Sequence, residues 1–293
     1  MRSSKPLNRL LTHLVLIAIV FIVLLPIFSI ISVSLSRDGS LSGGLLPKNF
    51  SFDHWKYILG IPFTNSLGET VTSPYPMMKW LFNSLKVSLL SAFLMLLCST
   101  TAAYSLSRFK FKGKEASLMF LMIMQMFPNM MAMVAFYFML DYIGAIAPSL
   151  GIDTHGGLIL IYLGGTPFNI WLLKGYFDTL PKSIEESARM DGCTHFQTFT
   201  KIVLPLCAPI LSVIGLLTFI STFSDFILPS ILLKSQDQMT FAVGIQIFIS
   251  ESFASRWGQF AAASILGATP ISLLFFSIHR YIVDGLSKGG VKG

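Results

Sequence analysis

The chain has 293 residues, of which 53% are hydrophobic and only 12% are charged. Soluble globular domains carry about 25% charged residues, so a chain this long and this poor in charge cannot cover a soluble surface. The three cysteines, Cys98, Cys193 and Cys207, include no C-x-x-C pair and are too few for a disulfide framework. The composition excludes an ordinary soluble enzyme, a disordered chain and a disulfide scaffold, and it indicates an integral membrane protein.

Six stretches are apolar enough to cross a membrane, each with at least 18 consecutive residues free of Asp, Glu, Lys and Arg. A bilayer core about 30 Å thick requires roughly 20 apolar residues in a helix, and backbone groups that face lipid must pair within that helix. The shorter uncharged run 238–250 predicts a surface or re-entrant helix. We therefore predict an all-α membrane protein with six transmembrane helices at residues 14–35, 81–107, 116–140, 156–175, 202–224 and 257–280.

The unequal distribution of basic residues predicts the orientation. With the N-terminus in the cytoplasm, 14 of the 21 Lys and Arg residues fall in inner segments and six in outer ones, and inner connections are those enriched in Lys and Arg. Membrane topology thus explains the net charge of +7, and we expect no nucleic-acid partner. Both termini are predicted to be cytoplasmic, with inner segments 1–13, 176–201 and 281–293 and long outer segments 36–80 and 225–256.

The inner segment 176–201 carries the most informative local pattern. Ser183 and Glu186 have the spacing of an N-terminal capping box just after Pro181. Asp191-Gly192 then interrupts the helix, because glycine readily adopts left-handed dihedral angles. The pattern predicts a helix, a sharp turn and a second helix that runs into the next span, although an amphipathic helix that merely packs on the bundle is an equal alternative. One apolar face is expected, formed by Ile184, Ala188, Phe196, Phe199 and Val203.

Polar uncharged residues and prolines also occur inside the predicted spans. For Gln125, Asn129 and Asn169, hydrogen bonding between helices is favoured over the lining of a hydrated path. Each proline removes a backbone hydrogen bond and permits a kink. These prolines are Pro128, Pro167, Pro209 and Pro270.

Several catalytic and coupling motifs are absent from the sequence. It contains no G-x-x-x-x-G-K-[ST] phosphate loop, no H-E-x-x-H zinc pattern and no G-x-S-x-G nucleophile motif. We therefore expect a chain that is not an enzyme and holds no cofactor or metal of its own. The charge-free cores of the spans also offer no ionisable group for proton or sodium coupling. An external source of energy is expected for any transport.

The inner segment resembles the EAA signature of ABC importer permeases. The sequence reads Glu186-Ser187-Ala188, three residues, Gly192, nine residues and Ile202-Val203-Leu204-Pro205, and Ser187 is its one departure from the signature. The resemblance implies the type I ABC importer permease fold, in which this loop docks on a cytoplasmic ATPase subunit. The residues implied in ATPase coupling are Glu185, Glu186, Ser187, Ala188, Asp191, Gly192, Ile202, Leu204 and Pro205.

Segments along the whole chain are also similar to the MalG-type permeases of maltose and maltodextrin transporters. The resemblance implies an inner-membrane subunit of a binding-protein-dependent importer. Its implied partners are a MalF-type permease, two MalK-type ATPase subunits that bind ATP and Mg, and a periplasmic maltose-binding protein. The segments that carry the similarity are Phe52-Asp53-His54-Trp55-Lys56, Asn83-Ser84-Leu85-Lys86-Val87, Thr154-His155-Gly156-Gly157, Lys174-Gly175-Tyr176-Phe177, Phe260-Ala261-Ala262-Ala263 and the terminal Gly289-Gly290-Val291-Lys292-Gly293.

The same resemblance implies two further contact regions and leaves two alternatives open. It places the main sugar contacts in the larger MalF-type subunit, so it assigns no sugar site here. The alternatives are an ABC permease of the same class for another oligosaccharide or glycerol phosphate, and an ion-coupled secondary transporter. The C-terminal tail Gly289, Gly290, Val291, Lys292 and Gly293 is implied to reach the ATPase subunits, and Gln246, Phe248, Ser250, Phe253 and Trp257 to contact the binding protein.

Overall fold

The computed structural model describes residues 6–39, 46–47, 49–65, 68–250 and 256–289, and it describes their side chains except those of residues 6–9, 129–130 and 281–289. The chain divides into two compact units. The first unit comprises Met1–Lys79 and Gly244–Thr269, and the second comprises Trp80–Val243 and Pro270–Gly293.

The first unit contains a long N-terminal helix and a small outer subdomain. Its side chains from Leu10 to Phe28 are exposed on every side, and a helix that is apolar all round requires lipid or a partner against it. The short hairpin in this unit departs from the all-α expectation. The elements are α1 (Pro6–Leu35), α2 (Asp53–Ile58), the antiparallel strands β1 (Phe63–Thr64) and β2 (Thr70–Val71), and a 3-10 turn, Gln246–Phe248.

The second unit is a bundle of helices, of which the first and last begin in the first unit. The predicted short helix in the run 238–250 is present as α13. The helices are α3 (Met77–Arg108), α4 (Lys114–Met126), α5 (Met133–Ile146), α6 (His155–Tyr162), α7 (Thr166–Thr179), α8 (Lys182–Met190), α9 (His195–Thr198), α10 (Leu204–Leu206), α11 (Ala208–Ser224), α12 (Ile227–Leu232), α13 (Phe241–Ile245) and α14 (Trp257–Gly289).

Two apolar clusters form the core of the second unit. The first joins α3, α7 and α11 around residues such as Leu173, Phe177 and Val203. The second joins α3, α5, α6 and α12 around Val87 and Leu158. Both clusters pack on α3, so this helix is the central element against which the others bury their apolar faces.

Four of the six predicted spans correspond to single helices of sufficient length and apolarity, and a fifth, 202–224, corresponds to a bent pair of helices. Among the described residues, four helical segments pass this test, and a bent pair raises the number to five. The exact number of six spans and the orientation of the termini stay predictions. The segments are Leu10–Leu35, Met77–Arg108, His155–Thr179 and Trp257–Arg280, together with the pair His195–Leu206 and Ala208–Ser224, bent by 76°.

The predicted span 116–140 is not one continuous helix. It divides between α4 and α5 at Phe127 and Pro128, followed by the 3-10 turn Asn129–Ala132. Phe127 is extended, with ψ of 126°, because a proline drives the preceding residue out of the helical region. The three other prolines named above do not end a helix. Pro270 lies inside continuous α14, while Pro167 and Pro209 lie at helix N-termini, where the missing N–H has no partner to lose.

The expected role of Asn169 as a link between helices is confirmed. Its Nδ2 donates a hydrogen bond to Thr218 Oγ1 at 3.2 Å, and both residues are buried. This bond joins α7 to α11.

Gly144 of α5 and Gly151 allow two backbone segments to touch. A Cβ placed on Gly144 would lie 2.9 Å from the Gly151 Cα, and one placed on Gly151 would lie 2.7 Å from the Gly144 Cα. Small residues permit such close approach of helices in membranes. This contact fixes the turn between α5 and α6.

We expect Gly144→Ala to lower the melting temperature of the purified protein, because the added methyl group must push backbone apart at a cost of about 1–3 kcal/mol. Gly175→Ala is the matched control, since Gly175 is also helical and has no heavy atom within 4 Å of an added Cβ. There the better helix propensity of alanine favours the fold. Equal melting temperatures for the two variants would contradict the assigned contact.

Candidate functional site

The inner segment 176–201, which we call the inner loop, forms the predicted helix, turn and second helix. α8 ends at Met190, and Gly192 follows with φ of +87°, in the left-handed region that favours glycine. The Cys193 N–H donates to the Ala188 carbonyl at 3.0 Å and closes the end of α8. The turn therefore depends on the backbone conformation of Gly192.

The predicted capping box at Ser183 and Glu186 is wrong. The N-cap of α8 is Pro181, without a side-chain cap, because its fixed φ starts the helix earlier and leaves Ser183 inside the first turn. The capping box lies instead at the start of α9. There Thr194 Oγ1 accepts from the Gln197 N–H at 3.2 Å, and Gln197 Oε1 accepts from the Thr194 N–H at 2.9 Å.

The single apolar face predicted for the loop is also wrong. Ala188, Phe199 and Val203 are buried, whereas Ile184 and Phe196 are exposed. Within α8 the buried side chains are Glu185 and Ala188, three residues apart on one face, and Ile184 points away from that face. The loop thereby presents apolar side chains to the outside, with exposed fractions of 40% for Ile184, 73% for Phe196 and 89% for Met190.

Glu185 fastens α8 to the end of α3. Its carboxylate accepts a hydrogen bond from Tyr104 Oη at 2.9 Å and forms an ion pair with Arg108 Nε at 2.5 Å. The two charged side chains are only 7% (Arg108) and 9% (Glu185) exposed. Charges this well buried require partners, and here Arg108 and Glu185 are the partners of each other.

The remaining donors of Arg108 extend this contact to the end of α7. Its Nη2 donates to the Leu180 carbonyl at 3.2 Å and its Nη1 to Ser107 Oγ at 3.1 Å. Ser107 Oγ in turn donates to Asp178 Oδ1 at 2.6 Å. The ends of α3 and α7 and the start of the loop are thus joined in one hydrogen-bonded group, which we call the inner anchor (Tyr104, Ser107, Arg108, Asp178 and Glu185).

The structure separates the nine residues implied in ATPase coupling into three sets. Glu185 and Ala188 are buried against the bundle, so they position the loop and do not face outward. Ile202 and Leu204 are half-buried, beyond α9. The exposed members are Glu186, Ser187, Asp191, Gly192 and Pro205.

The loop continues into the predicted span 202–224 through an irregular segment. Residues Phe199–Val203 form a short π-helix, α10 follows, and the chain bends by 76° before α11. Val203 and Cys207 of this segment are buried. π-helical turns are often found at functional positions, and this one lies between the exposed loop and a predicted span.

A second polar group, which sequence analysis did not identify, holds the outer loop that precedes α13. Trp80 Nε1 donates to the Gln236 carbonyl at 2.6 Å, and Asn83 Nδ2 donates to the Asp237 carbonyl at 2.9 Å. Ser84 Oγ accepts from the Phe241 N–H at 2.8 Å. Asn83 and Ser84 fall within a segment quoted above for its similarity to a known family, but no local pattern shows that their partners lie about 155 residues later.

Asp153 supports the same loop from the turn before α6. Its Oδ1 accepts from the backbone N–H groups of Lys234 and Ser235 at 2.8 and 3.0 Å, and Oδ2 accepts from the Ser235 hydroxyl. Burial alone would raise the pKa of Asp153, but the hydrogen bonds from Ser235 and Lys234 outweigh it and lower that pKa.

The residues expected to contact a binding protein are not all available to do so. Phe248 is buried and packs edge-on against Tyr57 and Tyr75, with ring centroids 6.3 and 5.9 Å away. Phe248 therefore offers no exposed side chain for such a contact, because neighbouring aromatic rings in the outer subdomain cover it, and the contact of this segment with a binding protein stays a prediction. Gln246 is half-buried, while Ser250 and Trp257 are exposed. Phe253 lies outside the described residues, as do Gly290, Val291, Lys292 and Gly293 of the tail, and Gly289 ends α14.

Comparison with known proteins identifies relatives over nearly the full chain. The family model described as "Binding-protein-dependent transport system inner membrane component" matches residues 95–288. The maltose/maltodextrin transport system permease protein MalG of Vibrio parahaemolyticus is 43% identical over 96% of this chain and 95% of its own length. MalG of Escherichia coli K12 is 39% identical over 99% of this chain and 98% of its own.

A solved structure shares the fold. It is a bacterial ABC transporter involved in the import of the acidic polysaccharide alginate, with a TM-score of 0.76 and 23% identity. The match covers 96% of this chain and 99% of that chain. The predicted ABC importer permease fold is therefore confirmed.

We expect Glu185→Leu to destabilise the protein by about 3–5 kcal/mol, because it leaves the Arg108 charge buried without a partner. Combining it with Arg108→Met should recover most of that loss, since an apolar pair of similar volume replaces the ion pair. Lys174→Met, which breaks the exposed pair with Asp178, should cost no more than about 1 kcal/mol. Thermal unfolding in detergent measures all three, and a Glu185→Leu loss no larger than that of Lys174→Met would contradict the anchor.

Proposed function

The chain belongs to the MalG-type permeases, within the family of inner membrane components of binding-protein-dependent transport systems, and we propose that it imports maltose and maltodextrins. Its proposed partners are a MalF-type permease, two MalK-type ATPase subunits and a periplasmic maltose-binding protein. ATP hydrolysis would take place in the ATPase subunits, which bind ATP and Mg, and this chain would transmit it. The identity of 39–43% to maltose permeases along nearly the whole chain supports the choice of solute.

The surface of the inner loop supports the proposed ATPase contact. Ile184, Met190 and Phe196 expose apolar area on the loop, and the acidic side chain of Glu186 is exposed as well. Apolar side chains, Met and aromatic residues among them, are enriched at the centre of protein interfaces, with polar groups at the rim. This combination of residues suits a cleft on a partner protein better than it suits water.

The inner anchor supports a mechanism for transmission. Because Glu185 ties α8 to α3 and α7, a displacement of the loop by the ATPase subunits would carry these helices with it. The other end of the loop leads through the π-helical segment into α11. Rotation of the loop would therefore act on both sides of the bundle and exchange inward-facing and outward-facing states, with both chain termini in the cytoplasm.

The two alternatives have less support. The structural relative that imports an acidic polysaccharide has the same fold, so the fold alone does not select a solute, and the sequence relatives supply the choice of maltose. A secondary transporter would need its own ion-coupling groups, and family membership supports an external ATPase instead.

The assay that tests this function uses the chain in nanodiscs with its partner permease and ATPase subunits. We expect maltose-loaded binding protein to stimulate ATP hydrolysis, and we expect no stimulation when this chain is omitted. Stimulation only by a binding protein loaded with another solute would replace maltose and keep the importer. Uptake by the chain alone under an ion gradient would overturn the proposal.

Gly192→Val is expected to reduce coupled transport at least about tenfold, because a β-branched residue at φ of +87° is strained and deforms the turn that orients the loop. Gly192→Asn should retain most activity, since Asn tolerates this conformation. Gly113→Val is the control, because Gly113 has φ of +91° and open space around it but lies outside the loop. Equal uptake by the two valine variants would count against the role of the turn.

A further inference from the structure

A cavity in the second unit is lined by residues of several helices and of the start of the outer segment 225–256, apart from the contacts described above. It has a volume of about 360 Å³ and lies among α3, α5, α11, α12 and the break between α6 and α7. Pockets that hold small ligands occupy about 300–1,000 Å³. The cavity is therefore large enough for one small solute or one part of a longer one.

One wall of the cavity is polar, and its hydroxyl groups donate their hydrogens to acceptors of the protein itself. Tyr162 Oη donates to Asp225 Oδ2 at 3.0 Å, and Asp225 Oδ1 accepts from the Ile227 N–H at 3.0 Å. The hydroxyls of Ser221 and Thr222 each donate to the Thr218 carbonyl at 2.9 Å. With these hydrogens engaged, the oxygens of the wall keep only acceptor lone pairs for a ligand.

The rest of the cavity is apolar, with Met95, Met133 and Phe136 among its lining side chains. A few oriented polar groups on a mainly apolar wall are typical of small-molecule sites. This pairing suits a molecule with apolar C–H faces and a rim of hydroxyl groups.

The charge of the cavity favours a neutral ligand. Of the described residues that line it, Asp225 carries a negative charge and none is Lys or Arg. A negatively charged ligand group would be repelled strongly by the Asp225 carboxylate in a site of low dielectric. A phosphate or carboxylate group would therefore be disfavoured, whereas neutral hydroxyl donors match the acceptors.

The helix break beside the cavity leaves room for a ligand. Leu163–Gly165 form a 3-10 turn between α6 and α7, and a Cβ added to Gly164 would meet no heavy atom within 4 Å. Irregular backbone at membrane depth occurs where it is covered by protein or lines a cavity. Gly164 keeps this side of the cavity open.

We propose that the cavity at Tyr162, Gly164 and Asp225 is a solute subsite of this chain that accepts the hydroxyl donors of a neutral sugar and disfavours anions. The proposal rests on the proposed function, and it adds a sugar contact in this subunit. It also bears on the open choice of solute, because glycerol phosphate and acidic polysaccharides carry the charge that Asp225 repels.

The direct test is photolabelling of the complete transporter with an azidophenyl maltoside, followed by mass spectrometry of the labelled peptides. We expect label on peptides of this chain that contain residues 161–165 or 221–228, with competition by maltose and none by glycerol phosphate. Label confined to the partner permease, or equal competition by the anion, would overturn the subsite. Stimulation of ATP hydrolysis by maltose-loaded binding protein, measured in the same preparation, tests the proposed function separately.

A pair of substitutions gives an independent result. Gly164→Trp adds a large side chain at the wall of the cavity and should reduce maltose uptake at least about tenfold. Gly175→Trp adds the same bulk at an open helical glycine away from the cavity and serves as the control for insertion and assembly. If Gly164→Trp assembles and transports as well as Gly175→Trp, the cavity is not on the solute path.

Discussion

The buried ion pair between Arg108 and Glu185 is the interaction on which the inner half of the structure depends. The two charges come from segments 77 residues apart and are almost wholly covered. Charges in such a place are tolerated only when each has its partner and its remaining hydrogen-bonding groups are satisfied, and Tyr104, Ser107 and Leu180 supply those bonds. Because this arrangement has one geometry, the inner loop is fixed to the helices rather than resting loosely on them.

Because one side of the inner loop is anchored to the bundle, its exposed side is a contact surface of fixed position. Glu185 and Ala188 face the bundle, while Met190 and Phe196 face outward with apolar surface that water solvates poorly. A contact surface that is joined rigidly to membrane helices can pass a displacement to them, whereas a surface on a flexible loop would absorb it. The outer end of α3 repeats this arrangement in another form, since Trp80, Asn83 and Ser84 hold the backbone of a second loop.

Sequence patterns predicted the parts of this protein that depend on local physics. Apolar length located five of the helical segments, and the signature around Gly192 located the turn, because a left-handed residue leaves a local trace in the sequence. Local reasoning failed where tertiary contacts decide the outcome. Phe248 looks like an exposed loop residue until Tyr57 and Tyr75 cover it, and Glu185 looks like a surface acid until Arg108 reaches it. No local pattern marks Asp225, because its partner, Tyr162, lies 63 residues away. Pro128 itself predicts a kink in the span 116–140, whereas the structure shows two separate helices.

If the inner anchor transmits displacement, the inner loop and the end of α3 move as one body during the ATP cycle. With the native Cys98, Cys193 and Cys207 replaced by Ser, spin labels at Lys110→Cys and Lys182→Cys, both exposed positions, would report the distance between the end of α3 and α8 in the reconstituted transporter. We expect one narrow distance distribution that is the same without nucleotide and with ATP bound, and a broad distribution when Glu185 is replaced by Leu together with Arg108 by Met. A distance that changes between the two nucleotide states in the unmodified anchor would contradict it.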